Sequence, residues 1–457
     1  CHDRQIPLPR GRVLGGSSST NAMIYIRGNP LDYDEWGVAG WSWAQLLPCF
    51  LRAEDNERGP SAWHGSGGPL AVSEPRSVNA VSRAFIDAAA QAGLARNDDF
   101  NGPRQEGAGL LQLTQRDGRR ASAADAYLHP AERRANLTVM TDAHVRRISF
   151  EGTRAVGVQV SREGRTVQLR AQREVILCAG AYNSPQLLML SGVGPAAHLA
   201  EHGIEPLLDR SQVGENLSDH AATELLWMAA QPQERERRRR WRSARLLLAT
   251  RAGAFAANLA EAGAFVRLAD DAPAPDIQFH MAPVQFLDSG ESDPEAHGVW
   301  VSPCLLTPHS RGSVRLASRD PSASPLVHNA FYTAGDDLQR MCAAVRLALD
   351  ICRRPALREL CAEPLTTPGA DSPQALAEHV RRTTFAFYHP VGTCRMGEDA
   401  DAVVDGWLRV NGTQGLRVAD ASVMPVVPRG NTNAPTIALA ERAAELIRHD
   451  RSAPRDV

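Results

Sequence analysis

The chain contains no lysine: all 50 of its basic residues are arginine. That bias fits GC-rich coding and carries little functional weight. Against 52 acidic residues it leaves a net charge of −2, so no global field recruits nucleic acid or an anionic membrane. No apolar run reaches the ~18 residues that a membrane span requires. The 8 cysteines are scattered without a C-x-x-C pair, which points to reduced thiols and a cytoplasmic setting rather than a disulfide framework. Internal repeats and low-complexity tracts are absent. So is an opening strand with a G-x-G-x-x-G turn, and the first residue is Cys1.

With 457 residues, 43% hydrophobic and 22% charged, the chain has the composition of a globular protein and the length of two or more domains. Segment 31–63 is rich in aromatics (Tyr33, Trp36, Trp41, Trp43, Phe50, Trp63) and reads as short helices packed over a neighbour. Val81, Phe85, Ala88 and Ala92 share one face of a helix predicted over Ala80–Ala92, with Gly93 as its stop. Strands are predicted from Asn136 onward: Leu137 and Val139, then Val156, Val158 and Val160, then Val167 and Leu169, with Glu163-Gly164 as a turn. An apolar strand over 175–179 follows. Ser184-Pro185 is then expected to cap a helix carrying Leu187, Leu188 and Leu190. A strand, a glycine and a helix N-terminus in that order suit a nucleotide-binding parallel sheet. Leu338, Met341, Val345, Leu349 and Cys352 predict an amphipathic helix over 336–353. Segments 271–276 and 320–325 read as loops, and the Arg-rich stretch 235–245 as a solvated surface piece.

Three segments carry chemistry. Gly15-Gly16-Ser17-Ser18 is short of side chains, so its backbone can approach a cofactor and turn N–H groups toward it. Asn21 and Ala22 follow. The second segment is Gly180-Ala181-Tyr182-Asn183-Ser184-Pro185-Gln186 and its continuation to Gly194. The third comprises Tyr388-His389-Pro390-Val391-Gly392-Thr393 and, further on, Gly430-Asn431-Thr432-Asn433-Ala434-Pro435-Thr436. An imidazole with an unperturbed pKa of about 6.5 suits proton abstraction at neutral pH. Asn433 precedes a helical pattern (Ile437, Ala440, Ala444, Ile447), where an N-cap belongs.

These segments resemble the glucose–methanol–choline (GMC) family of flavin oxidoreductases, in its alcohol and choline dehydrogenase branch. The resemblance implies an α/β fold: a Rossmann-like FAD domain interleaved with an α+β substrate domain on an antiparallel sheet. By that likeness the FAD domain takes 1–30, 119–222 and 390–457, a connecting or lid region 31–64, and the substrate domain 65–118 and 223–389. It implies His389 as catalytic base and Asn433 as its partner on the alcohol oxygen. It implies FAD contacts at Gly15, Gly16, Ser17, Asn21, Ala22, Pro435 and Thr436, at the Val145 main chain for adenine, and at Asp420 and Ala421 for the ribityl–phosphate region. Thr20 stands where some relatives carry a flavin-linked histidine, so the FAD is expected to be non-covalent. The implied reaction oxidises a primary alcohol (choline-like, aliphatic or aromatic) to an aldehyde. Oxygen, a quinone or a carrier protein would be the electron acceptor. The missing glycine-rich opening makes the chain resemble a member lacking its N-terminal dinucleotide-binding segment, expected to hold FAD poorly.

Two other classes compete. His198-Leu199-Ala200-Glu201-His202 matches H-x-x-E-H, a zinc-hydrolase pattern with two His at i and i+4. An inactive truncated flavoprotein is the second. His64-Gly65-Ser66-Gly67-Gly68 lacks the serine-hydrolase elbow G-x-S-x-G, and no metal site is otherwise expected.

Overall fold

The computed structural model describes residues 4–230, 258–283, 285–286, 292–293 and 298–452. The Arg-rich stretch 235–245 lies outside them. Near the start the backbone doubles back on itself. A Cβ on Gly11 would sit 2.2 Å from the Gly16 carbonyl oxygen, so only glycine fits there. Gly16, at φ 56°, opens a short 3-10 helix, Gly16–Ser19.

The aromatic segment forms helices Pro30–Asp34 and Trp43–Ala53, burying Tyr33, Trp36, Trp41 and Phe50. Each starts with a reciprocal capping box, Asn29 with Asp32 and Ser42 with Gln45, so local chemistry sets both N-termini. The Trp43 helix packs on the long C-terminal helix Asn433–Ser452. The helix Ala80–Gln91 buries Val81, Phe85 and Ala88 as expected and ends before Gly93, which takes φ 98°.

Strands His144–Glu151, Arg154–Arg162 and Arg165–Arg170 form an antiparallel sheet. Val160 faces Val167 and Val158 faces Leu169, across a turn in which Glu163 and Gly164 both take positive φ. That geometry matches the strands' own twist. Leu137 and Val139 belong to no strand and are exposed. Alternation there lacks a partner backbone, and a lone strand is not stable.

Val175–Leu177 pairs in parallel with Leu416–Val418, from more than 200 residues away in sequence. The helix after it runs Gly180–Leu190, so Ser184 and Pro185 lie inside it rather than at its cap. Its start is fixed from afar: the Asp420 carboxylate accepts from Gly180 N (2.9 Å) and Ser184 Oγ (2.5 Å), while Ser184 Oγ takes the Ala179 N–H (3.1 Å).

The largest sheet is antiparallel throughout. Its order is Cys361–Thr366, Leu225–Ala229, Gly298–Leu305, Ile277–Ala282, Ala262–Val266, Gly107–Leu110, with Ala221–Ala222 joining Gly298–Leu305 to Phe385–Ala386. Alternation along Ile277–Ala282 assigns its two faces. Ile277, Phe279 and Met281 share a core with Met341, Val345 and Ala348 of the helix Asp337–Arg353. Gln278 and His280 project to the opposite face, yet all six residues of the strand are buried. Two polar side chains buried in an apolar strand need partners or a purpose, and they mark the site.

Candidate active site

Residues 216–222 run antiparallel to 385–391. Ser218 and Val391 exchange backbone hydrogen bonds (3.1 and 2.9 Å), and Phe387 N donates to His220 O at 2.9 Å. This ladder brings His220 and His389 together. Their Nδ1 atoms lie 2.9 Å apart, with the rings at 89°. On its other edge, His389 Nε2 meets the Asn431 amide nitrogen at 3.2 Å. Gln278 Nε2 donates to Asn431 Oδ1 (3.3 Å), which turns the Asn431 NH2 toward the imidazole. An NH2 can only donate, so Nε2 carries the lone pair and Nδ1 the proton it shares with His220. Phe387 flanks His389 at 5.4 Å between ring centroids and His280 at 4.3 Å.

Burial dominates the electrostatics. It pushes His389 well below the usual histidine range, helped by His220 and His280 nearby. Burial takes His220 to about 3. Burial, then the neighbouring His220, takes His280 to about 3. All three imidazoles are therefore neutral at pH 7, which leaves His389 able to accept a proton. Burial also raises the Asp219 carboxyl to about 7, against the backbone hydrogen bonds from His389 and His220 that favour its charged form.

His389, singled out from the sequence, lies in this cluster, but its immediate company differs from the expectation. Asn431, rather than Asn433, bonds His389. Asn433 is the first residue of the helix Asn433–Ser452 and is half-buried. Among the described residues no hydrogen bond joins its side chain to His389. The cap position falls instead to Thr432, whose carbonyl takes the first helical bond, from Thr436 N (3.0 Å). Thr436 Oγ1 returns to the same carbonyl at 2.7 Å, and Pro435 is buried in that first turn. His220, Asp219, Gln278 and His280 escaped sequence reasoning. The polar residues at 278 and 280, set in an otherwise apolar strand, were the available signal.

The expected cofactor residues lie on several elements of the fold. Gly15, Gly16 and Ser17 form the doubled-back loop, where a Cβ on Gly16 would meet nothing within 4 Å. Val13 (57%) and Leu14 (42%) are exposed beside it. Asn21 is held by Arg120, which donates to its Oδ1 (2.6 Å) and carbonyl (2.7 Å), leaving Ala22 exposed. Val145 pairs with Val160 next to an irregularity in the strand register. Asp420 is buried, and its carboxylate already accepts from Gly180, Ser184 and Ser422 N (2.8 Å). That carboxylate caps two helices, and Ala421 begins the second, Ala421–Val423. An open, glycine-lined loop beside exposed apolar side chains fits a large planar cofactor.

The zinc pattern does not assemble. His198 Nε2 accepts from Leu316 N at 3.0 Å, and Nδ1 lies 3.5 Å from Glu201. Both ring nitrogens are thus engaged within the protein, and the zinc alternative has no support. The one cluster of metal-ligand type among the described residues, His309 with Asp336 and Asp337, is bridged by Arg340, whose Nε meets Asp336 at 3.0 Å and Nη2 meets Asp337 at 2.9 Å.

A parallel strand pair feeding a helix, a large antiparallel sheet and a neutral buried histidine together suit an oxidoreductase that works through a bound cofactor. Two family models described as GMC oxidoreductase match residues 1–222 and 308–440. The chain is 40% identical over 458 residues to an alcohol dehydrogenase (acceptor) of Pseudomonas putida, covering 98% of this chain and 83% of the relative. It is 41% identical over 460 residues to oxygen-dependent choline dehydrogenase 1 of Chromohalobacter salexigens, covering 98% and 82%. Pyridoxine 4-oxidase from Mesorbium loti superposes with a TM-score of 0.89 at 33% identity, covering 98% of this chain and 86% of that one. The chain belongs to the GMC oxidoreductase family. It has the family's α/β fold, uses FAD and acts on CH–OH donors. The N-terminal family model matches from residue 1, so the expectation of a lacking dinucleotide-binding segment is not supported. No helix among the described residues is long and apolar enough to cross a membrane.

Proposed function

We propose that the protein oxidises a primary alcohol to an aldehyde, with His389 as the base. The observation that carries this reading is the neutral, buried His389 imidazole, whose Nε2 lone pair is held by an amide that only donates. An incoming hydroxyl can displace Asn431 from Nε2, pass its proton there, and receive a hydrogen bond from the freed amide. The proton then rests on an imidazolium whose other nitrogen is held by His220. Asn433, at the start of a helix, would add a donor where negative charge is favoured. Bound FAD would supply the acceptor for the hydride leaving the alcohol carbon.

The residues that would hold FAD are Gly15, Gly16, Ser17, Asn21 and Ala22 near the ring and Val145 by its main chain at the adenine. Ala421 by its main chain, with Asp420 shaping the turn, and Pro435 and Thr436 complete the set. Thr20 offers no imidazole, so attachment would be non-covalent. The FAD domain would take 1–30, 119–222 and 390–457, and the substrate domain 65–118 and 223–389, joined by 31–64. Relatives named for alcohol, choline and pyridoxine support a CH–OH substrate of modest size.

The test combines the spectrum of the purified protein with turnover of choline, octan-1-ol, benzyl alcohol and pyridoxine, using a dye as electron acceptor. Bound flavin and aldehyde formation from at least one of these alcohols is expected. A flavin-loaded protein that bleaches with none of them would overturn the reading.

A further inference from the structure

The ladder between 216–222 and 385–391 is interrupted where the base is presented. Phe387 N and Val391 N donate to His220 O and Ser218 O, two strand-to-strand bonds. Between them Tyr388 takes φ 64°, a left-handed conformation rare for a residue with a large side chain. Pro390 has no N–H. The His389 N–H is thus swung away from the facing backbone, and it finds the Asp219 carboxylate instead, at 2.8 Å from Oδ1. Asp219 is itself 4% exposed and sits one residue before His220. Adjacent residues thus hold the two ends of His389: Asp219 the backbone amide, His220 the ring.

Resting on the reading of His389 as the base, we infer that Asp219 is a positioning residue for it. Its carboxyl oxygen replaces the acceptor that the bulged ladder cannot supply, and so fixes the left-handed joint at Tyr388 that aims the imidazole. The role is that of an acceptor of fixed length, not of a charge. Asparagine can fill it, because its amide oxygen occupies the same place. Alanine cannot, and serine is one bond too short. The groups facing the Asp219 carboxyl are His389, His220, Tyr182, Tyr388 and the Cys304 thiol. Arg10 in turn lies over the Tyr182 ring, 5.4 Å from its centroid.

The experiment compares Asp219→Ala, Asp219→Ser and Asp219→Asn with His389→Ala in the flavin-loaded protein, on the best alcohol of the panel above. Displacing a reacting group by about 1 Å costs on the order of 100-fold. Asp219→Ala and Asp219→Ser should therefore lose about 10- to 100-fold in kcat, with KM and flavin content near parental. Asp219→Asn should restore most of it. Hydrogen exchange of the peptide containing residues 387–391 supplies a readout free of substrate: protection of the His389 amide should fall in the Ala and Ser variants and persist in Asn. If Asp219→Ala does not fold, the Ser and Asn pair decides. Parental kcat in Ala or Ser, or a loss in Asn equal to theirs, would overturn the inference. Parental turnover in His389→Ala would instead sink the assignment of the base, leaving the exchange data to judge Asp219.

Discussion

His220 and His389 share one hydrogen bond, Nδ1 to Nδ1 at 2.9 Å, across 169 residues of sequence. Two ring nitrogens can share only one proton between them, so the pair holds a single tautomer: Nδ1–H on one ring and a lone pair on the other. With Asn431 donating to Nε2 of His389, the proton belongs to His389. Each ring thereby depends on the other.

Removal of the base should be severe. His389→Ala is expected to lower kcat by about 100- to 10,000-fold, the usual worth of a positioned base, while leaving flavin content near parental. Steady-state kinetics beside the flavin absorbance of the same preparation checks this. Parental turnover would refute it.

Loss of the neighbouring imidazole should show in the pH profile. Burial is the main cause of the lowered His389 value and His220 the next. His220→Asn should therefore move His389 upward, toward the usual histidine range. A base works only when unprotonated, so the acidic limb of kcat/KM should shift to higher pH. A limb that stays put, or moves down, contradicts the coupling.

The two asparagines separate cleanly. Asn431→Ala removes the donor on Nε2 and should lower kcat with little change in melting temperature. Asn433→Asp keeps a residue suited to the first helical turn but sets a negative charge near the developing alkoxide. It should stay folded and lose turnover. If a stable Asn433→Asp variant remains fully active, Asn433 serves the helix alone.

Another buried imidazole gives a stability prediction. His64 Nε2 lies 2.9 Å from Asp99, and Nδ1 lies 3.2 Å from Glu54, which also pairs with Arg27. Burial alone would lower the His64 value, but the hydrogen bonds to Asp99 and Glu54 outweigh it and raise it to about 9. A group more basic folded than unfolded stabilises fully below its unfolded value of about 6.5. That contribution is lost as pH rises through about 9. Thermal melts of the parent should fall across this window, and His64→Gln should flatten the decline. An unchanged slope in the variant would remove His64 as its source.

How much of this was readable in advance depends on the range of each interaction. The hairpin over 154–170 and the helix Ala80–Gln91 were legible because their patterns and stops are local. So was the presence of a helix carrying Leu187, Leu188 and Leu190 after the strand Val175–Leu177. The helix start at Gly180 was not, because its capping carboxylate, Asp420, arrives from 240 residues away. For the same reason Ser184-Pro185 looked like a cap. His389 was singled out from its surrounding segment, whereas Asn431 and Asn433 differ only in which one a fold turns inward. Leu137 and Val139 show the limit of alternation: without a partner strand it specifies nothing.

The interleaving of the chain has a kinetic consequence. His389 is bound by contacts to positions 219, 220 and 431, and Asn431 in turn reaches back to 278. No early, local piece of the chain contains more than one wall of this site, and distant pairings of that kind form slowly. A refolding chain should recover helical signal well before it recovers turnover, so that catalysis reports the last event of assembly rather than the first.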